Sequence, residues 1–142
     1  MTDFTSAEIL EIATITRKLE DGNMQGIDLS QADLYGAFLR GANLRDANLT
    51  GTNLVRANLT AVDLRGANLR GADLSGGNLY KANLQDADLT NTNLHGNKYD
   101  AFTIWPEGFD PIAEGAVFVI ESDVIMPREV LWNLAHQNPA AL

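Results

Sequence analysis

From Leu29 to Leu94 every fifth residue is leucine, fourteen in succession without exception. A strict five-residue apolar period suits neither regular element. In an α-helix each fifth residue advances about 140° net, so the leucines would wind around the whole surface. In a straight strand they would alternate between the two faces. Either way half of them stay in water, at a loss of roughly 1.5–3 kcal/mol per side chain. A chain that turns through a right angle every five residues sends all fourteen inward. Four repeats then close a square coil, and coils stack at the ~4.8 Å spacing of paired strands, so that backbone groups bond to the coil above and below.

The remaining positions agree. Two places before each leucine sits a small residue, alanine in nine of fourteen cases. One place before it is Asn or Asp in thirteen of fourteen, the exception being Phe38. The repeats contain no Glu and no Pro, the first proline being Pro106, and a missing N–H would leave a gap in a ladder. Asn, Asp and Gly accept sharp turns and bond their own nearby backbone. Ala-Asp-Leu-Tyr-Gly at 32–36, Ala-Asn-Leu-Arg-Asp at 42–46 and Ala-Asn-Leu-Arg-Gly at 67–71 resemble the pentapeptide-repeat family. The resemblance implies an all-β solenoid, a right-handed quadrilateral parallel β-helix of about four coils. It is nearly silent on function, because the repeated residues are structural ones.

Four repeats per coil place residues twenty apart on top of one another. The core columns are then Met24-Leu44-Leu64-Leu84, Leu29-Leu49-Leu69-Leu89, Leu34-Leu54-Leu74-Leu94 and Leu39-Leu59-Leu79-Tyr99. On the surface Arg45 stacks under Arg65, while Arg40, Arg56, Arg70 and Lys81 fall on different columns. A solvated face accounts for such charges. Phe38 breaks the Asn/Asp rule at an outward position, and Tyr35, Tyr80 and Val55 also face out. Tyr35 and Phe38 lie on adjacent faces and are candidate partner contacts.

An open solenoid end invites aggregation and needs a cap. Thr5 with Glu8 has capping-box spacing. Ile9, Ile12, Ala13, Thr16 and Leu19 follow at helical spacing, with Gly22 as a stop, which predicts a helix over about 5–20. A short helix, an acidic-Gly turn and then repeats also resembles cyanobacterial family members. After Tyr99 the pattern changes. Residues 103–111 read as an ordered turn whose Ile104, Trp105 and Phe109 fold back over the last coil, and Trp-Pro-Glu-Gly-Phe-Asp-Pro again resembles cyanobacterial tails. Val117-Phe118-Val119-Ile120 and Val124-Ile125-Met126 read as short strands, and Pro127 opens a helix through about His136. The chain therefore divides, within one domain, into a capping helix (1–23), the repeat coil (24–103) and a C-terminal cap and helix (104–142). The last stretch carries more apolar surface than a lid requires. Val130, Leu131, Trp132 and Leu134 are candidate partner contacts, and a homodimer through 104–142 is the simplest association.

The 142 residues carry ten Lys and Arg against nineteen Asp and Glu, a formal charge of −9. So acidic a chain is a poor candidate for gripping nucleic-acid phosphates or an anionic membrane. No apolar run approaches the ~18 residues of a membrane span, and the acidic first residues lack the basic start of a secretory signal, so the expected location is cytoplasmic. With no cysteine, thiolate metal sites and a Cys nucleophile are excluded. His95 and His136 stand apart from any catalytic arrangement, and calcium-loop and phosphate-loop motifs are missing. The expectation is no enzyme, no cofactor and no metal. Two readings remain: a rigid scaffold docking an unidentified protein partner, or, from the resemblance, a DNA mimic binding DNA gyrase. Residues 24–99 hold seven basic residues and seven Asp; a mimic should concentrate acid along its rod, so the scaffold is preferred.

Overall fold

The computed structural model describes residues 5–15 and 19–120. Its core is a four-sided parallel coil in which residues twenty apart are bridged, from Asn23 with Asn43 through Asn78 with Lys98. Each side is a minimal strand. Leu29 donates its N–H to the Asn48 carbonyl at 2.9 Å, and Asn48 donates to the Ile27 carbonyl at 2.8 Å, so each coil bonds to the next in both directions. All fourteen leucines are buried and form one continuous cluster with Met24, Tyr99 and the small residues beside them.

The corners explain the polar consensus. The residue two places after each core residue has φ between 56° and 70° at eight glycines and eight other residues, from Asp21 to Gly96. At the corners other than the one before Gly77 the residue after that donates to the core residue's carbonyl, as Ala32 does to Leu29 at 3.1 Å. A positive φ at the third position of a hydrogen-bonded four-residue turn is the type II geometry. The Asn or Asp before each leucine steadies it: Asn48 Oδ1 accepts from the Thr50 N–H at 3.1 Å and Asp73 Oδ1 from the Ser75 N–H at 3.0 Å. Where a polar residue replaces the inward alanine it bonds a neighbouring coil. Thr52 and Thr92 donate to the Leu29 and Leu69 carbonyls at 2.9 and 2.7 Å.

The first end departs from the expected helix of 5–20. Helix α1 covers Ser6–Ile15. Its start is closed by a reciprocal pair, the Thr5 N–H to Glu8 Oε2 at 2.8 Å and the Glu8 N–H to Thr5 Oγ1 at 3.3 Å. The Thr5 N–H and the Thr5 hydroxyl, each donating to Glu8 Oε2 at 2.8 Å, hold the Glu8 carboxyl below the usual carboxylate range. Leu19 is not the last apolar position of the helix. It is a core residue of the coil, five before Met24, 1% exposed and donating its N–H to Phe38 O at 2.7 Å. Gly22 accordingly closes a corner, its N–H on the Leu19 carbonyl at 3.3 Å, rather than stopping the helix.

At the other end the ladder outlasts the leucines. Asn83 bridges Ile104, twenty-one residues on. Strand β1 (Lys98–Tyr99) pairs in parallel with β2 (Val117–Phe118), nineteen residues on. Thr103-Ile104-Trp105 and Ala116-Val117-Phe118 therefore act as degenerate repeats, with Phe118 buried above Tyr99. Ile104 does not cover the core. It takes the outward Asn/Asp register and is 49% exposed. Trp105 meets Tyr99 edge-on at 5.3 Å and stacks on Phe109 at 5.3 Å. The expected run Val124–Met126, the helix from Pro127, and Val130, Leu131, Trp132 and Leu134 lie outside the described residues.

Candidate interaction face

The register assigns every outward residue to a side. The first side carries Asn23, Asn43, Asp63, Asn83 and Ile104 along its midline; the second Asp28, Asn48, Asn68 and Asp88; the third Asp33, Asn53, Asp73 and Asn93. The fourth carries Phe38, Asn58, Asn78, Lys98 and Val117, without a carboxylate. The corner before the fourth side presents Tyr35, Val55, Arg56, Ser75 and His95. The corner after it presents Arg40, Tyr80, Lys81 and Phe102, above Glu20 and Asp21 in the lowest coil and beside the buried Asp100, whose Oδ1 accepts the Lys81 N–H at 3.0 Å.

Chemistry is thus unevenly distributed. Four of the seven basic residues of 24–99, namely Arg40, Arg56, Lys81 and Lys98, belong to the fourth side and its corners, and none of the seven Asp does. Tyr35, Phe38, Phe102 and Val117 are 42%, 43%, 52% and 46% exposed there. Among the described residues the two ion pairs lie elsewhere: Arg65 with Asp63 at 2.6 Å and Arg70 with Asp88 at 3.4 Å. The four cations of the fourth side take part in neither.

On the other sides carboxylates are held by local bonds. Arg65 binds Asp63 through two side-chain nitrogens, which holds that carboxyl below its ordinary range and raises the guanidinium's pKa. The Ser30 and Thr90 hydroxyls lower Asp28 and Asp88 in the same way. Asp residues never meet across coils; Asp33, Asp63, Asp73 and Asp88 face Asn53, Asn83, Asn93 and Asn68. At the C-terminal cap, depressions of about 400 and 450 Å³ flank Phe109, with Asp110 in one and Glu107 and Glu114 in the other. Burial, with the Asp110 charge beside it, pushes the Tyr99 phenol up to about 12. Among the described residues no group of three His, Cys, Asp or Glu side chains could hold a metal ion. No described helix is long and apolar enough to cross a membrane.

Tyr35 and Phe38, singled out from the sequence, belong to one surface: Tyr35 occupies the corner that opens the side whose midline Phe38 begins. The basic residues were missed because columns, taken singly, hide them. Arg40, Arg56 and Lys81 share no column, yet two corners of one side hold all three. Mapping the twenty-residue register by side rather than by column was the available signal.

The pentapeptide-repeat family profile matches residues 23–60 and 57–96, more than half of the chain. The chain belongs to the pentapeptide-repeat family. The family's right-handed quadrilateral β-helix is the coil described above, and its members are in general structural and interaction proteins. HetL, a pentapeptide repeat protein involved in heterocyst differentiation regulation from the cyanobacterium Nostoc sp. strain PCC 7120, is 37% identical over 65% of this chain and 42% of its own, with a TM-score of 0.54. A pentapeptide repeat protein from the Arabidopsis thaliana thylakoid lumen is 28% identical over 87% of this chain and 78% of its own, with a TM-score of 0.60. A second pentapeptide repeat protein from Nostoc PCC 7120 is 38% identical, covering 82% of this chain and 97% of its own, with a TM-score of 0.45. This chain spans less than half the length of HetL. No curated protein matches it.

Proposed function

We propose that this pentapeptide-repeat chain is a rigid, non-enzymatic interaction scaffold of the cytoplasm, and that Tyr35 and Phe38 contact its protein partner. The observation that carries the reading is the fourth side, where exposed apolar groups lie beside four cations that take part in neither ion pair of the described residues, on one face of a stiff rod. Surface apolar residues scattered singly mean little; set on one face among cations they suit recognition. A bridged, hydrogen-bonded coil pays little ordering entropy on docking.

DNA mimicry is the second reading. Weighing against it, the seven Asp of the rod are matched in number by cations, and the five on midlines are spread over three sides, each opposite an Asn. The C-terminal segment 104–142, with Val130, Leu131, Trp132 and Leu134, is a further association element in this proposal, most simply as a homodimer.

A photo-crosslinking residue placed at Phe38, and separately at Asn48 on the second side, tests the scaffold in the native cell. A discrete protein adduct at 38 that is missing at 48 is expected. Equal labelling at both positions, or none at either, would contradict the reading.

A further inference from the structure

We propose that the fourth side takes a short extended segment of a partner protein in which carboxylates alternate with apolar side chains. This rests on the scaffold reading and specifies the partner's chemistry. The midline from Phe38 to Val117 crosses four interstrand steps, roughly 19 Å, the length of about six extended residues at ~3.3 Å each. Its ends are apolar, Phe38 at 43% and Val117 at 46% exposure. Between them Asn58 and Asn78 each place Oδ1 2.7 Å from the Thr60 hydroxyl, whose one hydrogen they share, and their side-chain amides supply polar groups along the midline. Arg56 flanks the midline on one corner, Arg40 and Lys81 on the other, where Asp21 and the buried Asp100 also lie, and Lys98 is on the midline itself.

An extended segment along this line turns alternate side chains toward opposite directions. Apolar groups meet Phe38 and Val117, while carboxylates reach the flanking cations, where a pair with arginine gains charge-assisted bonds. Basic residues interleaved with aromatics also suit single-stranded nucleic acid. A polyanion, however, approaches a chain of charge −9 whose residues 100–120 carry four carboxylates and no cation, Asp100 at this side's own corner and Glu107, Asp110 and Glu114 in the C-terminal cap. A peptide with two or three carboxylates meets only the local positive field. A second copy offering its acidic cap would make a head-to-tail contact that does not close.

The test is fluorescence anisotropy on the full chain with a labelled peptide alternating Glu and Leu, its counterpart alternating Gln and Leu, and a short oligothymidine. The Glu peptide is expected to bind at least about tenfold more tightly than either of the others, or 1.4 kcal/mol. Phe38→Asn restores the repeat's own residue and keeps the fold, so it should lose about tenfold in binding with no loss of thermal stability. Arg40→Gln, Arg56→Gln and Lys81→Gln combined should abolish the preference for Glu over Gln, and Arg45→Gln on another corner should change nothing. No binding of the Glu peptide, equal affinity for the Gln peptide, tighter binding of oligothymidine, or indifference to the triple variant would each overturn the proposal. A position-38 adduct in the cell alongside any of these would leave the scaffold standing with different partner chemistry.

Discussion

Gly77 occupies the inward position that nine repeats fill with alanine, and it is where the consensus misleads. A Cβ there would press into the Ala57 carbonyl oxygen and come within 3.1 Å of the Ala57 nitrogen, both backbone. Gly77→Ala should therefore cost about 1–3 kcal/mol, as overpacking does, although it makes the sequence more regular. Ala61 is the converse, an alanine at φ 56° on a corner where half the repeats use glycine. Relief of left-handed strain outweighs the added chain entropy, so Ala61→Gly should be neutral or stabilising by up to about 1 kcal/mol. Urea denaturation of both variants checks the pair. Tyr99 sets a pH limit. Its folded-state pKa of about 12 exceeds the ordinary value, near 10, so its contribution is complete below pH ~10 and is lost as pH rises through ~12. Absorbance titration should show a phenol ionising near pH 12 that vanishes in Tyr99→Phe, and that variant should outlast the parent in alkali.

At the scale of the coil, the alternation of Asp and Asn is itself a stabilising pattern. Asn53 lies between Asp33 and Asp73 and donates to Asp33 Oδ1 at 3.2 Å. Asn53→Asp removes that bond and stacks three carboxylates at strand spacing, for a cost of about 1 kcal/mol at neutral pH. Mutual repulsion raises their pKa values in the folded chain, so the deficit should be nearly gone below pH ~4 and grow as they ionise. Melting temperatures of parent and variant across that range are the measurement. The coil was legible in the sequence because leucine, alanine and Asx recur at one spacing. Leu19 was not, because it also continues the spacing of Ile12 and Thr16, and local periodicity cannot say which partner wins. The degenerate repeats at Thr103–Trp105 and Ala116–Phe118 follow irregular gaps; their pairing is non-local and has no period to reveal it. The small-any-large triplet is the trace they leave.

Over the whole molecule, the equal numbers of Asp and basic residues in 24–99 conceal a sided rod, with four cations and the exposed aromatics on one face and its corners and the midline carboxylates on the other three. Net charge by segment carries no such information; only the register turns a list of residues into faces. Five midline carboxylates, spread over three sides and diluted by Asn, make a poor imitation of a phosphate backbone. The purified chain should leave DNA gyrase supercoiling unchanged at micromolar concentration. Potent inhibition, relieved by neutralising Asp residues on one side, would restore the mimic.

Everything assigned to the fourth side depends on residues twenty apart being neighbours. The chain has no cysteine, so a disulfide between introduced cysteines reports that register without interference. Asn58→Cys with Asn78→Cys places two Cα atoms at strand spacing, about 4.8 Å, inside the ~4.4–6.8 Å range a disulfide spans. Mild oxidation should close that bond nearly completely and raise the melting temperature, while Asn58→Cys with Asp73→Cys, fifteen residues apart on different sides, should stay reduced. Ready closure of the second pair and not the first would mean a different number of residues per coil, and the interaction face would dissolve with it.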